Sequence, residues 1–179
     1  MRKVFAICAF LALAVPARAT VLVPADLSEL SRDARTIVRG RVIALDPRWT
    51  EDRRAIETLV TVEVDGYLKG ALGQTVQFRV PGGELGRFRS ITVGAPEFSI
   101  DERIVVFLAA TGPSVPYVLG LNQGVFRVVH AADGWVVTPA TALPPASGSV
   151  RIVRGDSSRR ALPLAEFEQR VRALAVGPR

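Results

Sequence analysis

The chain has 179 residues with 23 basic and 17 acidic side chains, which gives a formal charge of +6, and 49% of its residues are hydrophobic. This composition is typical of a globular protein rather than a disordered one. One histidine and one cysteine exclude sites that need several imidazoles or thiolates, including the usual catalytic zinc sets.

The first 19 residues have the organisation of a Sec-type secretory signal. A basic start is followed by an apolar run from Val4 to Val15, and Ala17-Arg18-Ala19 supplies the small residues that signal peptidase accepts. We expect cleavage after Ala19 and a secreted or periplasmic location in a bacterium. The apolar run is too short for a permanent anchor, and Cys8 lies inside it, so we expect a mature chain without a membrane span or a cysteine.

The segment after this signal predicts a short helix followed by a strand. Asp26 stands three residues before Glu29, which is the spacing of a capping box at the start of a helix. From Thr36 the apolar residues alternate with arginines at the period of a strand. Asp46-Pro47 is predicted to end this strand, because proline lacks a backbone donor.

Two further alternating segments follow, and the second delivers the chain to VPGGELGR at 80–87. A phosphate-binding loop would need a lysine and a hydroxyl residue after the last glycine, and then a helix. Here Gly86 is followed by Arg87 and by another short alternating segment. The spacing of Gly82, Gly83 and Gly86 also fails the dinucleotide-binding pattern, so we interpret the stretch as a turn and expect no cofactor.

The second half of the chain predicts a central strand, a meander and a final helix. Residues 104–108 are continuously apolar, as in a strand that is covered on both faces. Residues 117–137 predict a hairpin or meander. Apolar residues from Leu164 to Leu174 form one stripe of an amphipathic helix. Packing of this helix on the sheet is favoured over binding to a membrane surface, because the polar face of the helix carries both signs of charge.

We therefore predict a mostly β fold, namely a small antiparallel, OB-like barrel or sandwich of about five to seven strands with one N-terminal and one C-terminal helix. Residues 20–142 are predicted to form the barrel with the N-terminal helix. Residues 143–179 are predicted to form a flexible connection and the amphipathic helix, which packs on the barrel. A parallel α/β fold is disfavoured because helical and strand patterns do not alternate.

Few residues could carry catalytic chemistry. Any Ser–His–Asp triad would have to use His130, which continues the apolar face of a strand, so a structural role is favoured for it. Glu97, Asp101 and Glu102 lie close together in the sequence and could act as paired carboxylates or bind calcium, although no calcium-loop motif is present and no metal is expected. A carboxylate-based hydrolase could use Glu84, Glu97, Asp101 or Glu102. A solvated loop that protects a strand edge is the favoured interpretation of the acidic residues before the central strand.

Four motifs follow one another along the chain: VDGYLKG at 64–70, VPGGELG at 80–86, GAPEF at 94–98 and GLNQGVFRV at 120–128. Their order resembles a family of secreted bacterial β-rich proteins that has no assigned activity. The resemblance covers about residues 26 to 130 and the final helix. It implies export and a β-rich fold.

The strand end VDGYLKG, with Asp101-Glu102-Arg103 at the turn before a later strand, also resembles netrin-like and metalloproteinase-inhibitor domains. These domains have OB-type barrels, so the resemblance implies such a barrel and a partner such as a protease. The inhibitors use an N-terminal cysteine and several disulfides. The mature chain is expected to have neither, so their inhibitory mechanism is not expected here.

Three hypotheses for the function remain open. The first is an exported non-enzymatic binding module that acts on an extracellular protein such as a protease. The second is a carboxylate-based hydrolase. The third is an OB-type binder of polysaccharide or nucleic acid, although scattered arginines give no strong signal for nucleic acid.

The first hypothesis predicts that the glycine-rich loops form one functional end of the barrel, because glycine lets backbone groups approach a partner closely. The alternative is that these glycines only permit tight turns. We expect the side chains of Glu84, Arg87 and Gln123 to be exposed. The predicted partner-binding residues are Gly82, Gly83, Glu84, Arg87, Glu97, Phe98, Asn122 and Gln123.

Overall fold

The structure is a computed structural model that describes residues 25–110, 114–139 and 160–176. The predicted secretion signal and the predicted boundary at residue 142 lie outside these ranges. The helices are α1 (Leu27–Asp33), a 3₁₀ helix (Leu121–Gly124) and α2 (Leu164–Ala175). The strands are β1 (Thr36–Trp49), β2 (Ile56–Lys69), β3 (Thr75–Pro81), β4 (Gly83–Leu85), β5 (Phe88–Ser90), β6 (Arg103–Ala109), β7 (Tyr117–Val118), β8 (Val125–Ala131), β9 (Gly134–Pro139) and β10 (Leu162–Pro163).

Five strands pair in a closed ring, in the order β1, β2, β3, β7, β6 and back to β1. Every pair in this ring is antiparallel except β3 with β7, which run parallel and are joined at Arg79 and Tyr117. A ring of five strands is the arrangement of a small OB-like barrel. The predicted mostly β, OB-like fold with one early and one late helix is therefore confirmed.

A second part of the sheet extends from β6. Strand β8 pairs with residues 104–106 of β6, β9 pairs with β8, and β10 pairs with Val136 and Val137 of β9. Strand β6 thus has neighbours along both edges, and Ile104–Ala109 are buried. The prediction of a central strand covered on both faces is confirmed.

The sheet separates two apolar cores. One lies inside the ring and includes Phe78 and Val106. The other lies between the sheet and the two helices and includes Phe107 and Phe167. Neighbouring residues of β6 alternate between the two cores, which explains why its sequence is continuously apolar. Each large side chain buried in this way contributes about 1.5–3 kcal/mol of transfer free energy.

Both helices lie where their sequence patterns predict. The Asp26 carboxylate accepts a hydrogen bond from the Glu29 amide at 2.7 Å, and the Glu29 side chain accepts one from the Asp26 amide at 3.2 Å, which completes the capping box of α1. In α2 the Phe167 ring lies 4.9 Å from that of Phe126, and Val171 is buried against the sheet. No helix in the described ranges is long and apolar enough to cross a membrane.

The prediction that Asp46-Pro47 ends the first strand is wrong, because β1 continues to Trp49. Beyond Arg41, β1 has no ladder with β6, and Pro47 pairs only with Thr58 of β2. A residue without a backbone donor is tolerated in a strand whose second edge forms no ladder. Pro47 therefore lies within a strand that it does not interrupt.

Candidate functional site

A cleft of about 490 Å³ opens beside the β4–β5 hairpin at one end of the barrel. The hairpin forms one wall, and the segment 91–98 forms the other. Five of the eight predicted partner-binding residues line this cleft. They are Gly82, Gly83, Glu84, Glu97 and Phe98.

The chain turns into the hairpin at two glycines with positive φ. Gly82 has a φ of +101° and Gly83 a φ of +143°, a region that L side chains rarely adopt. The Gly82 amide donates to the Ile56 carbonyl at 2.8 Å, and the Thr58 hydroxyl donates to the Gly82 carbonyl at 2.8 Å. These contacts hold the hairpin against β2, so the glycines have a structural role whatever the cleft binds.

Phe98 connects the cleft to the barrel core. Its ring meets that of Phe78 edge to face, with centroids 5.6 Å apart, and Phe78 is fully buried inside the ring. Pro96 beside it is also buried. Phe98 and Pro96 are thus an apolar wall of the cleft that is fixed by the core.

Arg87 lies at the tip of the hairpin and does not line the cleft. Its guanidinium carbon is 5.1 Å from the centre of the Phe88 ring. The Phe88 ring in turn meets Trp49 of β1 edge to face at 5.3 Å. Arg87 is exposed, as expected.

The predicted Asn122-Gln123 segment lies in the 3₁₀ helix and does not itself line the cleft. The Asn122 amide donates to the Gly94 carbonyl at 3.0 Å, which braces the wall formed by residues 91–98. The expectation that Gln123 is exposed is wrong, since the residue is only 7% exposed. Its side-chain oxygen accepts a hydrogen bond from the Ala25 amide at 2.7 Å, so it ties the start of α1 to the barrel.

Four exposed apolar side chains form what we call the cleft rim: Ile91 lines the cleft, and the other three lie within two residues of lining positions in sequence. They are Trp49 (38% exposed), Phe88 (47%), Ile91 (73%) and Val93 (92%). The sequence does not indicate this surface, because Ile91 and Val93 alternate with polar residues as in a strand. In the structure β5 ends at Ser90, and the wall that follows is not a strand.

Three of the four candidate catalytic carboxylates, those of Glu84, Asp101 and Glu102, each contact an arginine. Glu84 pairs with Arg89 at 3.1 Å, and both side chains are exposed. Asp101 pairs with Arg41 at 2.9 Å. Hydrogen bonds that Arg41 donates to Glu63 and then to Asp101 raise the pKa of its guanidinium above the usual value.

The Glu102 carboxylate has two hydrogen-bond donors. One of its oxygens accepts from the Arg127 guanidinium, and the other accepts from the Ser99 amide at 3.0 Å. Arg127 also donates to the main-chain carbonyl of Glu97 at 2.8 Å. These contacts fix the loop before β6. In the part of the chain that the structure describes, no group of three metal-ligating side chains occurs.

His130 lies on the surface at the far end of β8, away from the residues that line the cleft. Its ring meets that of Trp135 at 87° with centroids 5.0 Å apart, as a cross-strand pair between β8 and β9. None of the candidate carboxylates is among its described contacts. These surroundings suit a role for His130 in aromatic packing rather than in a catalytic triad.

Comparison of the chain with protein-family models, with curated proteins and with solved structures finds no match. The two family resemblances therefore remain predictions from the sequence. The function is inferred below from this chain's own residues.

Proposed function

We propose that the protein is an exported, non-enzymatic binding module whose cleft holds an extended apolar segment of an extracellular protein, such as a loop of a protease. The observation that carries this proposal is the cleft rim, where Ile91 and Val93 are 73% and 92% exposed. Several exposed apolar side chains near a cavity are typical of protein-binding surfaces. Trp49 and Phe88 add aromatic area of the kind that dominates binding energy in such surfaces.

The cleft offers apolar surface to a bound segment, alongside polar side chains such as Thr58, Ser90 and Thr92. Leu45, Val80, Pro96 and Phe98 line it, and Phe98 is anchored by the buried Phe78. The only ion pair among its lining residues joins Glu84 to Arg89 at the open side. An apolar side chain of a partner would leave water for a preformed apolar cavity, which is favourable without reorganisation of the protein.

An extended conformation of the bound segment is favoured by the β4–β5 hairpin. This hairpin is a sheet of only two strands, so each strand has one edge without a ladder. A strand edge of this kind accepts an extended peptide through main-chain hydrogen bonds, while side chains enter neighbouring pockets. The partner segment would therefore add to the hairpin and place alternate side chains in the cleft.

The contacts of the carboxylates favour this function over a hydrolase. A general acid and a general base need carboxyl groups that face a common substrate position. Glu84, Asp101 and Glu102 instead contact three different arginines. The arginines neutralise them and hold the loops in place.

Export rests on the sequence of the first 19 residues alone. Mass spectrometry of the protein recovered from the periplasm or the medium is expected to find a chain that begins at Thr20. A protein that retains Cys8, or that carries a lipid, would contradict cleavage after Ala19.

Binding can be tested with random peptides displayed on phage, selected on the immobilised mature protein. We expect enrichment of peptides rich in leucine, valine and aromatic residues. The variants Ile91→Ser and Val93→Ser are expected to weaken the selected peptides by about tenfold each, because each removes a contact that excludes water. Fluorescence anisotropy of a labelled peptide measures this loss.

The matched controls are Val129→Ser and Val176→Ser, which remove apolar side chains that are 44% and 84% exposed but lie on β8 and at the end of α2. These variants are expected to keep the affinity within about twofold. Equal losses in the rim and control variants would overturn the proposal. Enrichment of no peptide at all would do the same.

A further inference from the structure

A second cleft, of about 480 Å³, lies on the outer face of the sheet next to the start of α2. Arg39, Asp65, Arg103 and Trp135 line it together with the apolar side chains of Val128 and Leu164. We call it the arginine–tryptophan cleft. None of its lining residues belongs to the cleft beside β4 and β5.

Strand pairing brings these side chains to one face. Arg41 of β1 is directly opposite Arg103 of β6, so Arg39, two residues before Arg41, projects from the same face as Arg103. His130 of β8 is directly opposite Trp135 of β9. The two arginines and the indole are therefore held by three strands of one sheet rather than by loops.

The charged groups of this cleft neutralise one another. Arg103 donates to Oδ2 of Asp65 at 3.0 Å, and Arg39 donates to Glu168 of α2 at 2.5 Å. Arg172 of α2 also donates to Glu168, at 3.2 Å, so both carboxylates already have arginine partners. An anionic ligand would have to displace a carboxylate from its arginine, which gives such a ligand no advantage here.

One strong donor in the cleft remains without a hydrogen bond. Nε of Arg39 is buried and has no hydrogen-bond partner among the described residues, and Oδ2 of Asp65 lies 3.9 Å from it. A buried N–H without a partner costs free energy unless another group accepts from it. This buried atom is out of reach of a ligand, whereas the side chains of Arg103 and Asp65 are 42% and 32% exposed. A ligand hydroxyl can accept from Arg103 and donate to Asp65 at the same time, because a hydroxyl has both capacities.

The indole of Trp135 offers an apolar surface next to these polar groups. It is 44% exposed, and the Arg103 guanidinium carbon lies 5.3 Å from the centre of its ring. His130 meets the same ring at 87°, which restrains its orientation. Val128 and Leu164 extend the apolar surface. A ligand that fits must combine an apolar face with several hydroxyl groups and carry no charge.

We propose that the arginine–tryptophan cleft binds a neutral sugar residue of a polysaccharide. The C–H face of the sugar ring packs on Trp135, and its hydroxyls exchange hydrogen bonds with Asp65 and Arg103. This site is separate from the cleft rim and does not depend on the function proposed for it. A protein that holds both would bind its protein partner while attached to a glycan surface.

The chain has two tryptophans, so single-tryptophan variants can report on each cleft separately. Trp49→Phe leaves Trp135 as the only indole, and Trp135→Phe leaves Trp49. The probes are neutral oligosaccharides from β-glucan, mannan and chitin, at millimolar concentrations that suit a weak site. We expect a saturable change of indole emission in Trp49→Phe and none in Trp135→Phe.

Calorimetry with the oligosaccharide that gives the largest change supplies affinities. Trp135→Ala and Arg103→Gln are expected to weaken binding by about tenfold, whereas Trp49→Ala is a matched control with a similar exposure and is expected to leave it unchanged. Thermal unfolding confirms that each variant is folded. If Trp135→Ala does not fold, the comparison of the two phenylalanine variants decides the question.

Three results would overturn the proposal. The first is no saturable emission change with any of the neutral oligosaccharides. The second is a change that follows Trp49 instead of Trp135. The third is binding of polygalacturonate, an acidic polysaccharide, without binding of any neutral one, which would assign the cleft to anions.

Discussion

A β-carbon on Gly83 would lie 2.5 Å from the side-chain oxygen of Thr58, closer than a carbon and an oxygen approach without repulsion. Gly83 also has a φ of +143°, so the hairpin crosses β2 in a conformation that requires glycine. We expect Gly83→Ala to lower the free energy of unfolding by about 2–4 kcal/mol, through strain and displacement of the hairpin. Urea denaturation measures the change.

The matched control is Gly86→Ala at the tip of the same hairpin. Gly86 has a φ of +60°, but a β-carbon there would meet nothing within 4 Å. This variant carries only the cost of a left-handed backbone, about 1–2 kcal/mol. A loss for Gly83→Ala that does not exceed that for Gly86→Ala would contradict the close approach to Thr58.

Gln123→Ala is expected to destabilise the domain rather than to affect a surface. The side chain is 7% exposed, and it accepts from the Ala25 amide, so its removal leaves that amide without this acceptor. A loss of about 1–3 kcal/mol follows from an unsatisfied donor of this kind. Arg87→Ala, at an exposed position on the hairpin, is the control and should stay within about 0.5 kcal/mol. Equal stability of the two variants would show that Gln123 does not hold the start of α1.

Local patterns were sufficient for most of the fold. The alternation in β2 and β3, the continuous apolar run of β6 and the capping box at Asp26 depend on neighbouring residues, so the sequence predicts them directly. The parallel pairing of β3 with β7 was not predictable in this way. Strand β7 has two residues, and its pairing is fixed by the closure of the ring.

The candidate site was predictable only in part, for the same reason. Glycine spacing indicates the turn at Gly82 and Gly83, and the turn does line the cleft. The burial of Gln123 depends on a contact with Ala25, 98 residues away in sequence, and no local pattern encodes it. The side chains of the arginine–tryptophan cleft come from six elements of the fold, so their proximity follows only from the tertiary arrangement.

Metal removal is expected to have no effect on stability. The acidic residues before β6 are engaged by arginines, as Asp101 is by Arg41 and Glu102 by Arg127. A chelator should therefore leave the thermal midpoint within about 2 °C, since no metal contributes binding free energy to the folded state. A fall of more than about 5 °C, restored by calcium, would identify a metal site that includes these carboxylates.

The capping box of α1 is expected to make the folded protein less stable at acidic pH than at neutral pH. Hydrogen bonds from the Glu29 amide and then from the Ser28 hydroxyl lower the pKa of Asp26 below its usual value. The unfolded chain therefore binds a proton on Asp26 at a higher pH than the folded chain does. The stabilisation from the charged cap is complete above the usual aspartate pKa of about 3.9 and is lost as the pH falls through the lower, folded value.

Two substitutions at Asp26 distinguish the contribution of the capping hydrogen bond from that of the negative charge. Asp26→Ala removes the acceptor and is expected to cost about 1 kcal/mol at neutral pH. Asp26→Asn keeps an acceptor oxygen but cannot be protonated, so its stability relative to the wild type should improve as the pH falls below about 4. Asp52→Asn is a comparison outside any helix: that carboxylate accepts from Thr50 in an exposed turn, and its lowered pKa predicts a pH dependence of the same sign. Urea denaturation between neutral and acidic pH measures all three variants. A difference between wild type and Asp26→Asn that stays constant with pH would show that the charge of Asp26 contributes nothing to the cap.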